Sequence, residues 1–352
     1  MTGSVGRLTA IILFIAMVAA LSACGQMGEE RGDRLRLGYF PNVSHAQAVI
    51  GVARGDFERA LGEEIEFEST IVNAGPLIVE AIFAGHLDMA YVGPAPALTG
   101  HLRSRGEEIR VVAGGAENGV LVVGSKGRGI TSLDQLGDAR VATPSIGNTQ
   151  DISAKRYVTQ VLGSRLHTRG GSAQVIPIPN PDIYNLFRQN QLDAAWLPEP
   201  WGSRLIEAGY VVLIAEEKDL WPEGRLEMTC VIVRRDYLEK YPENVRKFLE
   251  AHVTLTRELQ EDPFALSGLL QEELARLTGQ ELPMPVIESS LRYINFTEEM
   301  HTESFETFVQ WGRELDIYRM ETTALDRLFY PAILDDILAG PADAARKAAA
   351  LP

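Results

Sequence analysis

Short apolar runs and amphipathic segments alternate along the chain from residue 34 to about residue 235. Residues 35–40 alternate between apolar and polar positions, as a β-strand does, and residues 45–60 carry apolar side chains at helical spacing. The same order of strand and then helix recurs through residues 65–123 and again through residues 139–214. This alternation predicts an α/β protein with open, mostly parallel sheets that are covered by helices.

The last third of the chain has a different pattern. Residues 229–233 form the last clear strand pattern, and after Arg235 the apolar residues recur only at helical spacing. The sequence therefore predicts helices, and no further strand, up to about residue 340. At roughly 150 residues per domain, a chain of 352 residues is long enough for two domains with a core each.

Four loops that follow predicted strands are the places to look for a site, because ligands of open α/β sheets bind at the carboxyl ends of the strands. These loops are residues 41–45, 93–96, 145–150 and 198–201. In three of them, small or polar residues stand where a helix begins. They are Asn42, Ser44 and His45, then Gly93, Pro94 and Ala95, then Asn148, Thr149 and Gln150.

Helix starts of this kind can hold an anion without Lys or Arg. The first N–H groups of a helix are unpaired and carry partial positive charge, and amide and hydroxyl side chains add further donors. For any one loop, the alternative is that Ser44, Asn148 or Thr149 only caps its helix. Three such loops in one alternating pattern favour a shared cleft for an anion.

Glu199 adds a negative charge to this picture. It stands between two prolines, with Trp196 and Trp201 close in sequence. Its carboxylate can pair with a cationic or donor group of a ligand, cap the helix that follows, or form a contact between two lobes. The sequence leaves these alternatives open.

Composition and motifs exclude several classes of function. The chain has 33 Lys and Arg against 48 Asp and Glu, a net charge of −15, which argues against nucleic-acid binding but does not exclude a small anionic ligand. There is no Walker A loop, no HExxH and no GxSxG sequence, and the two cysteines have no zinc-site spacing. We therefore expect no catalytic residue, no bound metal and no cofactor.

The first 23 residues are typical of a secretory signal peptide, with an apolar run too short for a comfortable transmembrane helix. The sequence LSAC at residues 21–24 resembles the lipobox of bacterial lipoproteins. That resemblance implies cleavage before Cys24 and acylation of that residue; the alternative is an ordinary secretory signal followed by a chance cysteine. Residues 24–33 would then form a polar tether, and the protein would be extracytoplasmic and lipid-anchored to the bacterial membrane.

Five segments in order carry a family resemblance: GYFPNVSHA at residues 38–46, AGHLDMAYVGPAPA at 84–97, TPSIGNTQD at 143–151, LDAAWLPEPW at 192–201 and DLWP at 219–222. Together they resemble the substrate-binding proteins of ABC importers for aliphatic sulfonates, taurine, nitrate and related compounds. The resemblance covers roughly residues 34–335.

The resemblance implies a two-lobed periplasmic-binding-protein fold of type II with a two-strand hinge. Lobe 1 would hold residues 34–120 and 229–340, lobe 2 residues 121–228, and residues 341–352 would form a tail. The ligand would lie between the lobes, which close on it by a hinge motion. The ligand contacts that the resemblance implies are Phe40, Asn42, Ser44, His45, Pro94, Ala95, Asn148, Thr149, Gln150, Glu199, Trp201 and Thr229.

These expectations describe a monomeric, non-enzymatic receptor. It would bind a small oxyanion-bearing organic solute, with an aliphatic sulfonate or taurine as the first candidate, and deliver it to a membrane permease with a cytoplasmic ATPase. Nitrate or bicarbonate, and a pyrimidine precursor that would suit Glu199 better, are the alternatives within the same fold. A solute sensor or an enzyme on this fold is the alternative of a different class.

Overall fold

The computed structural model of the protein describes residues 34–318 and 325–349. The expected signal peptide, the acylated Cys24, the tether and the last three residues of the expected tail lie outside the described residues. The strands are β1 (Arg34–Tyr39), β2 (Glu66–Ile71), β3 (Met89–Val92), β4 (Ile109–Asn118), β5 (Val120–Ser125), β6 (Arg140–Thr143), β7 (Gln174–Pro177), β8 (Ala194–Pro198), β9 (Val211–Glu216), β10 (Glu227–Arg234) and β11 (Ile294–Phe296).

Helices follow most of these strands. They are α1 (Ala46–Arg54), α2 (Asp56–Leu61), α3 (Gly75–Phe83), α4 (Pro94–Arg103), α5 (Thr149–Arg156), α6 (Asn180–Arg188), α7 (Trp201–Glu207), α8 (Arg235–Lys240), α9 (Pro242–Glu261), α10 (Ser267–Thr278), α11 (Met284–Tyr293), α12 (Thr302–Glu314) and α13 (Ala332–Ala349). In the part of the chain that the structure describes, none of these helices is long and apolar enough to cross a membrane.

The strands form two sheets. The first has six strands in the order β11-β4-β10-β3-β1-β2, and the second has five in the order β7-β6-β8-β5-β9. The first sheet takes its strands from both ends of the described chain, whereas the second takes them from the middle. The α/β class with helices over both sheets is therefore confirmed.

Each sheet is mixed rather than mostly parallel. The pairs β1–β2, β1–β3, β6–β7 and β6–β8 are parallel, and every pair that involves β4, β5 or β10 is antiparallel. The reason is the route of the chain. The chain leaves the first sheet through β4 and enters the second directly as β5, with only Gly119 between them, and it returns through β10. No crossover helix reverses the direction at these points, as a parallel pair would require.

Two predicted elements need correction. The helix expected over residues 45–60 is divided into α1 and α2 by Gly55, whose φ of 70° ends the first helix in a left-handed conformation. The strand β11 was not predicted, because its three residues follow α11 without a turn signal and pair only with the end of β4. It is an edge strand, and its pairing was not visible in a local pattern of apolar residues.

The C-terminal helices pack against the first sheet and complete its core. Phe248 of α9 stacks on Phe57 of α2 with 4.5 Å between ring centroids, and Tyr91 of β3 meets Phe248 edge-on. Cys230 lies fully buried in β10 and donates its Sγ–H to the carbonyl of Val92 at 3.3 Å. Two of these contacts fix the carboxyl end of β3, and the site is built in part on that end.

Candidate ligand-binding site

A cavity of about 50 Å³ lies between the two sheets, where β1, β2 and β3 of the first sheet and β6, β7 and β8 of the second end. The residues that line it are Phe40, Asn42, His45, Asn73, Ala74, Gly75, Gly93, Pro96, Pro144, Ser145, Asn148, Thr149, Gln150, Asn180, Pro198 and Met228.

Four α-helices of eight to ten residues begin at this cavity. The lining residues at their starts are Ala74 before α3, Gly93 before α4, Asn148 before α5 and Asn180 at the first position of α6. The first N–H groups of a helix have no partner within the helix, and the helix dipole leaves partial positive charge there. Four such ends around one cavity favour an anion inside it.

The first turn of α4 has few backbone donors, because prolines remove the others. Pro94 and Pro96 have no N–H, and the N–H of Ala97 donates to the carbonyl of Gly93 at 3.2 Å. The N–H of Ala95 is therefore the donor that this turn can offer to a ligand. The side chain of Ala95 is fully buried, so any contribution of this residue comes from its backbone.

The start of α5 is held in place by its own side chains. Asn148 caps the helix, since its Oδ1 accepts from the N–H of Asp151 at 2.8 Å, and its Nδ2 donates to Oε1 of Gln150 at 3.0 Å. The Nε2 of Gln150 lies 3.4 Å from Sδ of Met228 in β10. The cap interpretation of Asn148 is thus confirmed, and the cap also links the second sheet to the first across the cavity.

His45 is a neutral donor in this lining. The N–H of Phe40 donates to its Nδ1 at 3.3 Å, so the neutral ring carries its proton on Nε2. Burial lowers the pKa of His45 to about 3, which keeps the imidazole uncharged at neutral pH. The Nε2–H group is therefore a fixed hydrogen-bond donor without a net charge.

Two hydroxyl groups beside the lining have no hydrogen-bond partner among the described residues. Ser44 and Thr229 are both 0% exposed, and their Oγ and Oγ1 atoms are unpaired. They are the chain neighbours of His45 and Met228, which line the cavity. The cap interpretation of Ser44 is wrong, because it lies inside a 3₁₀ turn (Val43–His45) and its side chain caps neither this turn nor α1. An unpaired buried hydroxyl is costly, so these two groups mark a place where a partner is missing.

The lining carries no formal charge at neutral pH: the residues listed above include no Asp, Glu, Lys or Arg, and His45 is neutral. One carboxylate next in sequence to the lining on the second-sheet side belongs to Asp151. It is buried and pairs with Nζ of Lys155 at 2.6 Å, and it also accepts from the N–H of Gly147 at 2.8 Å. The cavity is therefore polar and neutral, with its positive potential supplied by backbone N–H groups.

Comparison with known proteins identifies the family. The model of the NMT1-like family matches residues 28–266, more than half of the chain. The chain belongs to the NMT1-like family. The family resemblance that the five sequence segments indicated is confirmed.

Individual relatives of this NMT1-like protein agree with the fold. The taurine-binding periplasmic protein of Escherichia coli (strain K12) is 23% identical over 241 residues, which are 67% of this chain and 71% of that protein. The alkanesulfonate-binding protein SsuA from Xanthomonas axonopodis pv. citri, solved bound to MOPS, has a TM-score of 0.70 at 17% identity and covers 86% of this chain and 100% of its own. The periplasmic nitrate-binding protein NrtA from Synechocystis PCC 6803 has a TM-score of 0.73 at 14% identity, with 88% and 90% covered. The fold is that of periplasmic binding proteins.

In this member of the NMT1-like family, Glu199 lies away from the lining. Its oxygens accept from the N–H of Ser203 at 3.0 Å, the hydroxyl of Ser203 at 2.6 Å and the hydroxyl of Ser290 in α11 at 3.3 Å. The carboxyl thus ties the start of α7 to α11, which packs on the first sheet. Complete burial raises the pKa of Glu199 to about 7, and the hydrogen bonds from the two serines oppose this shift. Of the three interpretations left open, the structure shows the cap and the contact between the two sheets.

The structure brings half of the expected site residues to the cavity. Those in the lining are Phe40, Asn42, His45, Asn148, Thr149 and Gln150, and those outside it are Ser44, Pro94, Ala95, Glu199, Trp201 and Thr229. Ser44, Pro94, Ala95 and Thr229 are buried, and each is a chain neighbour of a lining residue. The ring of Trp201 instead lies 5.3 Å from the guanidinium of Arg204 and packs on the core of the second sheet. The ligand contacts of all twelve residues stay a prediction.

Several lining residues were missed by sequence reasoning. Asn73, Ser145, Asn180 and Met228 all line the cavity. Asn73 and Asn180 follow strands and precede or begin helices, so the rule that selected Asn148 could also have selected them. Met228 had no such signal, because it lies at the start of β10. This strand is antiparallel to β3, so its first residues lie beside the carboxyl end of β3. Within residues 34–318 and 325–349, no group of three or more His, Cys, Asp or Glu is placed to hold a metal ion.

Proposed function

We propose that this protein is the extracytoplasmic solute-binding component of an ABC importer and binds a small oxyanion-bearing solute between its two sheets. An aliphatic sulfonate is the first candidate and nitrate the second. The observation that carries the proposal is the neutral cavity at which four helices begin, because such ends bind anions through backbone N–H groups. Relatives that are named for taurine, alkanesulfonate and nitrate binding support it.

The residues have separate parts in this proposal. Backbone N–H groups at Ala95 and Thr149, together with Nε2–H of His45, would hold the oxyanion. The unpaired hydroxyls of Ser44 and Thr229 would gain the ligand as their partner, which agrees with the ligand contacts expected from the sequence. Each sheet would be the core of one lobe, with the divisions near residues 120 and 229, and hinge motion would admit the solute.

Binding rather than catalysis is supported by the chemistry of the lining. His45 is the one histidine in the lining, and its Nδ1 already accepts from the N–H of Phe40. The lining therefore offers no free imidazole nitrogen that could act as a general base for a nucleophile. The acylated Cys24 would anchor the monomeric protein at the membrane, where the permease with its cytoplasmic ATPase receives the solute. A solute sensor would use the same binding site and would differ from an importer component only in the membrane protein to which it delivers its signal.

Thermal unfolding of the purified protein with a ligand panel tests the proposal. The panel holds taurine, short alkanesulfonates, nitrate, bicarbonate and a hydroxymethylpyrimidine. A ligand at about 100 times its Kd should add about 2.7 kcal/mol to the free energy of unfolding and raise Tm by a few degrees. We expect this shift with at least one sulfonate or nitrate. A shift with the pyrimidine alone would contradict the anion proposal.

Ligand affinity should be nearly independent of pH between 5 and 8. His45 is the titratable group of the lining, and its pKa of about 3 leaves it neutral over this whole range. Sulfonates and nitrate also keep one charge over this range. Isothermal titration calorimetry at several pH values checks the prediction. An affinity that rises steadily as the pH falls from 7 to 5 would show that a protonated group holds the anion.

A further inference from the structure

We infer that the site discriminates against zwitterions: it takes a compact anion whose remaining part is uncharged, in preference to one that also carries an ammonium group. This inference rests on the proposed function and narrows its ligand class. If it holds, the ligand preference of this chain differs from that of the taurine-binding periplasmic protein to which it is 23% identical. The charges in and behind the lining are the observations that carry it.

The lining favours an anion over a cation, although it also offers acceptor oxygens: Oδ1 of Asn180 is buried and has no partner among the described residues. Its helix starts and the Nε2–H of His45 are donors, and they stabilise an anion without any cationic side chain. An ammonium group in the same cavity would be taken out of water, and only amide and hydroxyl oxygens could receive it. Burying a charge is costly unless an opposite charge and hydrogen bonds compensate it.

The carboxyl groups next in sequence to the lining are poor counter-ions for an ammonium group. Three acidic residues are chain neighbours of lining residues: Asp151, Glu199 and Glu227. Asp151 is 0% exposed and its carboxylate is already neutralised by Lys155 at 2.6 Å. A second cation there would compete with an ion pair that is formed inside one helix, between positions i and i+4.

The other two acids are held near their neutral forms. Glu199 accepts from Ser203 and Ser290, and burial raises its pKa to about 7. Glu227 is 0% exposed and its Oε2 accepts from the N–H of His301 at 3.0 Å, while its Oε1 has no partner among the described residues. Burial raises the pKa of Glu227 well above the usual value, which opposes a charged carboxylate there. Neither group offers a full negative charge to a ligand at neutral pH.

Propane-1-sulfonate and taurine form a matched pair for the test, because they differ only in a methyl group against an ammonium group. Isothermal titration calorimetry of the purified protein at pH 7, with methanesulfonate and nitrate as further anions, measures the preference. We expect the Kd of taurine to be at least about tenfold higher than that of the best alkanesulfonate, or taurine binding to be undetected. A Kd for taurine within tenfold of the best alkanesulfonate, or below it, overturns the inference and leaves the proposed function standing. No binding of any of these anions overturns both.

The variant Asn180→Asp supplies the missing carboxylate at constant shape. Asn180 is the first residue of α6 and lines the cavity, and Asp is well accepted at a helix start, so the fold should be kept. We expect the variant to weaken alkanesulfonate binding at least about tenfold and to shift the ratio of the two Kd values towards taurine. An unchanged ratio in a folded variant would count against the charge argument.

Discussion

Replacing Gly93 by valine should weaken ligand binding at least about a hundredfold, which corresponds to about 2.7 kcal/mol, while the protein stays folded. A Cβ at Gly93 would lie 2.6 Å from Oγ1 of Thr149, across the gap between the first and the second sheet. Gly93 has a φ of −70° and a ψ of 156°, an extended conformation that valine adopts without strain. We therefore expect the substitution to reduce ligand binding and not folding, because Thr149 must move and the two methyl groups of valine occupy part of the cavity.

Calorimetric titration with the best ligand of the panel measures this effect. Gly268→Val is the matched control, because a Cβ at Gly268 in α10 meets no atom within 4 Å and lies far from the lining in sequence. The control should bind as the unmodified protein does. If Gly93→Val is folded and binds within about threefold of the unmodified protein, the ligand does not lie between Gly93 and Thr149.

The sequence was informative about the fold where a local pattern decides the structure. Strand and helix alternation is local, so the sequence alone predicts the loops after β1, β3, β6 and β8. The antiparallel placement of β10 in the first sheet and of β5 in the second is not predictable in this way, because strand direction depends on the route of the chain between sheets. The split of the predicted helix at Gly55 was missed for a different reason, since apolar spacing continues across it.

The candidate site was predictable only in part for a similar reason. Asn148 and His45 were found because they stand at helix starts after strands. The partners of Glu199 could not be found, because Ser290 lies far away in sequence and reaches it only through the packing of α11 on α7. The unpaired hydroxyls of Ser44 and Thr229 show the opposite case. The family resemblance selected both residues. The structure adds a physical reason, because a ligand would supply the hydrogen-bond partner that these buried hydroxyls lack.

Glu217→Ala should lower the free energy of unfolding by about 3–4 kcal/mol, the largest stability effect that we expect from a single side chain in the second sheet. Glu217 is 0% exposed, and its two oxygens accept from Nε1 of Trp196 at 2.6 Å and Nε1 of Trp221 at 2.9 Å. Removal of the carboxyl leaves two buried indole N–H groups without this acceptor. Chemical denaturation followed by tryptophan fluorescence measures the loss, and exposed Asp219→Ala, expected within about 0.5 kcal/mol of the unmodified protein, is the control.

The same carboxyl should make stability fall as the pH rises towards 7 and beyond. Burial raises the pKa of Glu217 from 4.5 to about 7, so the folded protein binds a proton that the unfolded chain releases between these values. The stabilisation by this proton is fully present below pH 4.5 and is lost as the pH rises through 7. Glu217→Gln resembles the protonated form and should flatten this part of the profile by up to about 3 kcal/mol between pH 5 and 8. Because burial also raises the pKa of Glu199 to about 7 and that of Glu227 well above its usual value, part of the slope should remain in Glu217→Gln and should decrease further when Glu199→Gln is added. A profile of Glu217→Gln that is as steep as that of the unmodified protein would show that Glu217 is already charged in the fold.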